Sequence, residues 1–224
     1  MAARGPLLLI VLPLVISACG GGSSTPVTGD PLGDAVRHTL AQKSAMVALD
    51  AKVDLSGQSI NASGDGAFAG GTSHVHLNFD VPLLGSSTLD EVVVGKVLWV
   101  KSPLIGKKWL RFESGKSAKV AGFDLSALTG VTPTGALALL QHDDNSTSLG
   151  KGHYRLDLGG ITSGDIQYNS AEAWVDDQNL VRKVKLDFDV NVGSDKAHSI
   201  VTINYSNFGT PFTVTVPAAS EVAG

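Results

Sequence analysis

The chain has 224 residues, with 17 basic against 21 acidic side chains and a formal net charge of −4. An acidic balance with no basic stripe argues against a nucleic-acid partner and offers no electrostatic help on an anionic bilayer. A single cysteine rules out an internal disulfide framework and a thiolate metal site.

The chain opens with Arg4, an apolar run over residues 7–15, and then Ile16-Ser17-Ala18-Cys19. The run is shorter than the about 20 residues a spanning helix needs, and Pro13 interrupts it. It fits the apolar part of a secretory signal. An aliphatic residue and two small ones before a cysteine form a lipobox, so residues 1–18 are expected to be removed. Cys19, the one cysteine, is then the acylated N-terminus, carrying diacylglycerol and a fatty acyl chain such as palmitate. Loss of Arg4 leaves 16 of the 17 basic groups against all 21 acidic ones, a net charge of −5. The expected location is the extracytoplasmic face of a cell membrane, held by the lipid anchor. Residues 19–29, rich in Gly, Ser and Thr, read as a flexible tether. Residues 30–224 read as one folded domain.

A helix is predicted over residues 31–44. Asp30 can cap it, Pro31 suits its first position, and Leu32, Ala35, Val36 and Leu40 recur at helical spacing. From Met46 the period changes to two. Val47, Leu49, Ala51, Val53 and Leu55 alternate with polar or small residues, which predicts a half-buried antiparallel strand. Gly57 turns the chain into a strand over 60–68. Val75, Leu77 and Phe79 alternate with His74, His76, Asn78 and Asp80. Strands over 90–94 and 97–101 flank a tight turn at Gly95-Lys96, and a short strand follows at 108–113.

The middle of the chain breaks this pattern. Residues 123–128 read as one or two helical turns, and a second helix begins at Thr132-Pro133 with Ala136, Leu137 and Leu140 on one face. Gly130, Gly135, Ala136, Ala138 and the loop at 82–87 are candidates for moving lids. Period two returns at 153–158, 171–175, 180–192 and 199–205, with a turn at Asp176-Asp177-Gln178-Asn179. A last strand is predicted at 213–216. About ten strands with one apolar face each allow either a sandwich or one strongly bent sheet with helices in its hollow. Only 13 side chains are Phe, Tyr or Trp. A wide aliphatic face under so little helix leaves room for a dry void, which accepts hydrocarbon.

Three segments resemble a known group. Ala171-Glu172-Ala173-Trp174-Val175-Asp176-Asp177-Gln178-Asn179-Leu180-Val181-Arg182-Lys183-Val184 is similar to the strand–turn–strand of the actinobacterial LppX, LprA, LprF and LprG type of lipoprotein. Tyr205-Ser206-Asn207-Phe208-Gly209-Thr210-Pro211 with Val214-Thr215-Val216-Pro217-Ala218-Ala219-Ser220-Glu221-Val222 is similar to their C-terminal signature. Gly152-His153-Tyr154-Arg155 resembles the strand after their central helices. The order of elements also resembles the LolA/LolB lipoprotein-carrier fold. The resemblance implies an α+β fold: a strongly curved antiparallel sheet, or half-barrel, with helices covering its concave side. It implies a cavity for the acyl chains of a lipid or lipoglycan, a role in transporting or presenting envelope lipids, and an envelope transporter as a possible partner. The alternative is a lipoprotein of the same fold without cargo, acting as an interaction or scaffold protein.

Alternation, rather than the resemblance, selects the expected lipid-binding residues: Val47, Leu49, Leu77, Phe79, Leu98, Leu110, Leu137, Leu140, Tyr154, Leu156, Leu186, Phe188 and Ile203. No cofactor, metal or catalytic residue is expected. His74 and His76 lie two apart on one strand face, a spacing compatible with a metal but better read as two solvent-facing histidines. His142-Asp143-Asp144 offers an imidazole–carboxylate set in a loop, on which an enzymatic reading would have to rest. No Gly-x-Ser-x-Gly, His-Glu-x-x-His or phosphate loop is present.

Overall fold

The computed structural model describes residues 29–55, 57–81, 85–113, 119–120, 123–124, 132–141, 146–192 and 194–223. The signal segment, Cys19, residues 20–28, Gly130, the His142-Asp143-Asp144 set and residues 82–84 and 125–131 lie outside the described residues.

Twelve strands form one antiparallel sheet. In chain order these are β1 (Ser44–Leu55), β2 (Gln58–Ala69), β3 (Thr72–Val81), β4 (Gly85–Val94), β5 (Val97–Lys101) and β6 (Leu110–Glu113). After a separate two-stranded ribbon, β7 (Lys119–Val120) and β8 (Phe123–Asp124), come β9 (Thr147–Gly150), β10 (His153–Asp157), β11 (Thr162–Ser163), β12 (Ile166–Val175), β13 (Val181–Val192) and β14 (Asp195–Ser206). The sheet runs β6-β5-β4-β3-β2-β1-β14-β13-β12-β10-β9, with β11 on β12, and it does not close. The two halves of the chain are meanders joined where β1 pairs with β14, from Met46 opposite Ser206 to Leu55 opposite Ala197. One sheet replaces the sandwich that strand count alone left open.

Register carries the alternation across the whole sheet. Leu49 lies opposite Gly64 on β2 and Ile203 on β14, and Gly64 lies opposite Leu77 on β3. Ile203 lies opposite Val184, Val184 opposite Ala173, and Ala173 opposite Tyr154. One face is therefore apolar from β6 to β10, while the other carries the Lys, Asp and His residues of the same strands. This apolar face is concave. Leu89 on β4 and Ile166 on β12 are six strands apart, about 29 Å on a flat sheet, yet both border one small cavity.

Among the described residues, two helices pack against that face. Helix α1 (Pro31–Leu40) starts as its sequence dictates: the Asp30 side chain accepts from the Gly33 N–H at 2.9 Å, and Pro31 sits in the first turn. It buries Leu32, Ala35, Val36 and Thr39. The buried Thr39 hydroxyl donates to the Ala35 carbonyl and accepts from the Val181 N–H, both at 2.8 Å, which ties α1 to β13. Helix α2 (Pro133–Leu139) is capped by Thr132 Oγ1, which accepts from Gly135 N–H at 3.0 Å. The Tyr205 hydroxyl donates to the Pro133 carbonyl at 2.7 Å in the interior. Leu32, Val36, Ala136, Leu137 and Leu140 join Val184, Leu186, Ile203 and Tyr205 in a single core.

Four expectations change, the first being that residues 85–87 of the candidate lid loop open β4 and pair with β3. Helix α1 ends at Leu40 rather than residue 44, and Ser44 opens β1. Phe123-Asp124 is a strand paired with Lys119-Val120, not the start of a helix. Residues 213–216 alternate like a strand but form none. They follow β14, whose edges β1 and β13 already occupy, so no free edge is at hand. The tail continues instead to Trp109, whose N–H donates to the Glu221 carbonyl at 2.9 Å and whose carbonyl accepts from Ala223 N–H at 2.8 Å.

Candidate functional site: an apolar cavity on the inner face

Where the inner face is lined by small side chains, the core does not fill. Ala51 faces Ala62 on β2 and Val201 on β14; Val53 faces Ser199 and Leu55 faces Ala197. Above them lies a cavity of about 290 Å³. Leu49, Val53 and Leu55 of β1, Val75 and Leu77 of β3, Leu89 of β4, Phe188 and Val190 of β13 and Ile166 of β12 complete most of its wall. Thr132 and Pro133 bring the start of α2 to its border. The volume is at the lower end of the roughly 300–1,000 Å³ typical of small-molecule sites, and the lining is aliphatic as such sites require. A void of this character stays dry and accepts hydrocarbon.

One charged side chain interrupts the wall. Glu91, opposite Val75 on β3 and Val100 on β5, points with the apolar row of β4 and borders the cavity. It is 8% exposed. Its carboxyl is pushed up to about 7, because burial in apolar surroundings penalises the anion. Among the described residues no donor or cation pairs with it.

The thirteen sequence-selected residues divide into groups. Leu49, Leu77 and Phe188 line the cavity. Val47, Leu137, Leu140, Leu156, Leu186 and Ile203 sit in the close-packed part of the core, each no more than 3% exposed. Tyr154 packs against that core from its border. Leu98 and Leu110 face each other's strands further out, on β5 and β6, and border no part of the cavity. Phe79 is half-buried and borders a different hollow of about 690 Å³, walled by Asp50, Lys52, Asn61 and Asp80. Charged and polar side chains share that wall with Ala51, Ala62 and Ile200, so it lacks the almost wholly apolar lining of the first cavity.

The residues missed are the small ones and the acid: Ala51, Ala62, Ala197, Ser199 and Glu91. Their signal was present as a patch of short side chains in cross-strand register, with Gly64 and Gly66 beside it. A Cβ on Gly64 would meet the His76 carbonyl oxygen at 2.0 Å, and one on Gly66 the His74 carbonyl at 2.2 Å. Only glycine allows β2 and β3 to approach this way. Of the lid candidates, Ala136 is buried in the core, while Gly135 and Ala138 border a separate hollow near Gly95.

On the outer face, His76 Nδ1 lies 2.7 Å from Asp90 Oδ1 and His74 Nε2 lies 3.9 Å from it. The hydrogen bond to Asp90 raises His76 above its ordinary value. Both rings are more than 40% exposed, and among the described residues no three His, Cys, Asp or Glu side chains are placed to hold a metal ion. Among the described residues, too, no helix is long and apolar enough to cross a membrane.

No protein-family model matches the sequence and no curated protein matches it. Solved structures do. The lipoprotein LppX of Mycobacterium tuberculosis is 13% identical, with a TM-score of 0.33 over 82% of this chain and 98% of that one. A LolA superfamily protein from Nitrosomonas europaea is 11% identical, with a TM-score of 0.34 over 82% and 93%. A DUF1329 family protein from Desulfovibrio piger is 12% identical, with a TM-score of 0.37 over 81% and 92%. Two of these are of the kinds that the sequence resembles.

Proposed function

We propose that this chain is a membrane-anchored envelope lipoprotein that takes an acyl chain of a lipid or glycolipid into the inner-face cavity, and so helps to transport or present it. The observation that carries this reading is the cavity itself: about 290 Å³, walled by aliphatic side chains and bordered by the start of α2. In this reading the helices cover the concave side, Cys19 carries the anchor, residues 19–29 are the tether, and residues 30–224 are the binding domain. Leu49, Leu77 and Phe188 hold the chain, Val47, Leu137, Leu140, Tyr154, Leu156, Leu186 and Ile203 support the wall from the core, and Phe79, Leu98 and Leu110 take no part.

The energetics suit a carrier. Each methylene buried from water is worth about 0.8 kcal/mol, but a chain taken from a bilayer leaves one hydrocarbon phase for another. Extraction is then nearly balanced, and a tether that keeps the cavity beside the membrane matters more than affinity. The cavity has room for one tail rather than several, so the remainder of a larger lipid would stay outside. An envelope transporter is the partner this role calls for; neither an enzyme nor a cofactor is needed.

Native mass spectrometry of the protein purified from its host tests the reading. The wild-type chain is expected to carry a lipid adduct. Ala62→Trp, which places an indole in the cavity, is expected to fold and lose it. A wild-type chain that stays empty, even after incubation with lipid vesicles, would reject carriage and leave the scaffold alternative.

A further inference from the structure

A buried carboxyl with no partner is costly. An ionised one in apolar surroundings must be neutralised or paired, and removing its hydration without replacement costs several kcal/mol. Glu91 stands in that position. It is more than nine-tenths buried and borders the cavity, and the described residues supply no donor to it. Its strand neighbours, Val75 on β3 and Val100 on β5, are aliphatic. Among the described residues lining the cavity it is the one titratable group. A leucine there would have completed the wall at no such cost.

We infer that Glu91 is the polar anchor of the cavity, and that the cargo is a single-tailed amphiphile whose inserted end carries a hydrogen-bond donor, a hydroxyl or an ammonium. This rests on the proposed carriage of an acyl chain and names the chemistry of what is carried. A donor entering the cavity would pair with a carboxylate to which the described residues offer no partner. When Glu91 is ionised a carboxylate-headed tail cannot, since two anions repel, and a plain alkane leaves Glu91 as it was. The tail fills the aliphatic wall from β1, β13 and β14, and the head meets β4. The acid therefore acts as a filter on the head group, while the aliphatic wall accepts any tail that fits.

The test uses the full chain with Cys19→Ser, so that no attached acyl group competes, at about pH 8, where Glu91 is mostly ionised. Dodecanol, dodecylamine and dodecanoate displace a neutral fluorescent probe of the cavity. Dodecanol, dodecylamine or both are expected to compete at about tenfold lower concentration than dodecanoate. Preference for the amine alone identifies an ammonium head; preference for both identifies any donor. Glu91→Leu is expected to bind the probe as before and to narrow the preference to what burial of the dodecanoate charge alone imposes. Glu91→Gln, neutral but able to accept, is expected to keep it for the alcohol and lose it for the amine. A preference unchanged in Glu91→Leu, or equal competition by all three ligands, would overturn the anchor and leave carriage standing. Failure of the wild-type chain to bind the probe would overturn carriage itself.

Discussion

Glu91 leaves a signature in the stability of the chain. Its carboxyl is raised from 4.5 to about 7 by burial. Between those values the folded chain holds a proton that the unfolded chain has released. Stability therefore falls as pH rises through this window, by roughly 3 kcal/mol in total, and is flat on this group's account above and below it. His76, raised above 6.5 chiefly by its hydrogen bond to Asp90, also loses stabilisation as pH rises. The comparison must therefore be with Glu91→Gln, which keeps His76. Urea midpoints at about pH 5 and about pH 8 are expected to differ clearly more in the wild type than in the variant. Parallel slopes would mean that the carboxyl reaches water. At this scale the sequence misled in an instructive way. Choosing the bulkiest residues of each apolar face selected Leu156, Leu186 and Ile203, and bulk is what closes a void. Space lies where Ala51, Ala62 and Ala197 fall opposite one another or their neighbours, and that coincidence depends on register, which single strands do not reveal. Glu91 escaped notice because an acid in a strand is normally read as facing water.

Among the elements, helix α2 has the clearest single point of attachment. The buried Tyr205 hydroxyl donates to the Pro133 carbonyl in its first turn, and burial pushes the phenol above its ordinary range. Tyr205→Phe is expected to lower unfolding stability by about 1 kcal/mol. The amides of α2 should then exchange with deuterium faster, while those of β13 and β14 stay protected. An unaltered exchange pattern would show that packing of Leu137 and Leu140 alone holds the helix. Both helices were legible from their caps, because Asp30 and Thr132 each precede a proline that fits a first turn. The long strands were legible from alternation: 97–101 coincides with β5 and 180–192 nearly with β13. The short ones were not. β9 is exposed along its whole length and has no apolar face to show, and β11 is two residues long. Residues 213–216 have the right period but no edge to join. Alternation reports that one side of a segment is apolar; it cannot report whether a neighbour is free.

For the molecule as a whole, the weak points are the two ends of the sheet. An unpaired strand edge invites another chain. At one end the tail bridges to Trp109, just before β6, through the backbone of Glu221 and Ala223. Removing residues 218–224 is expected to uncover this margin and shift the sedimentation profile toward dimers and larger species at high concentration. A truncated chain that remains monomeric would show that β6 needs no such cover. The one-sheet architecture itself was half legible. Strand count and one-sided polarity permitted both a sandwich and a bent sheet. The continuous pairing of β1 with β14 decides between them, and it joins residues about 150 positions apart, beyond the reach of any local pattern.

Because the strands stop short of meeting, their arc has a radius that hydrogen bonding does not lock. A closed ring fixes its bore through the number and stagger of its staves. This one can splay or tighten by small changes of twist spread over its strands. On the proposed carriage, capacity is a property of posture as much as of lining, and a longer guest would be met by a wider stance rather than by different walls.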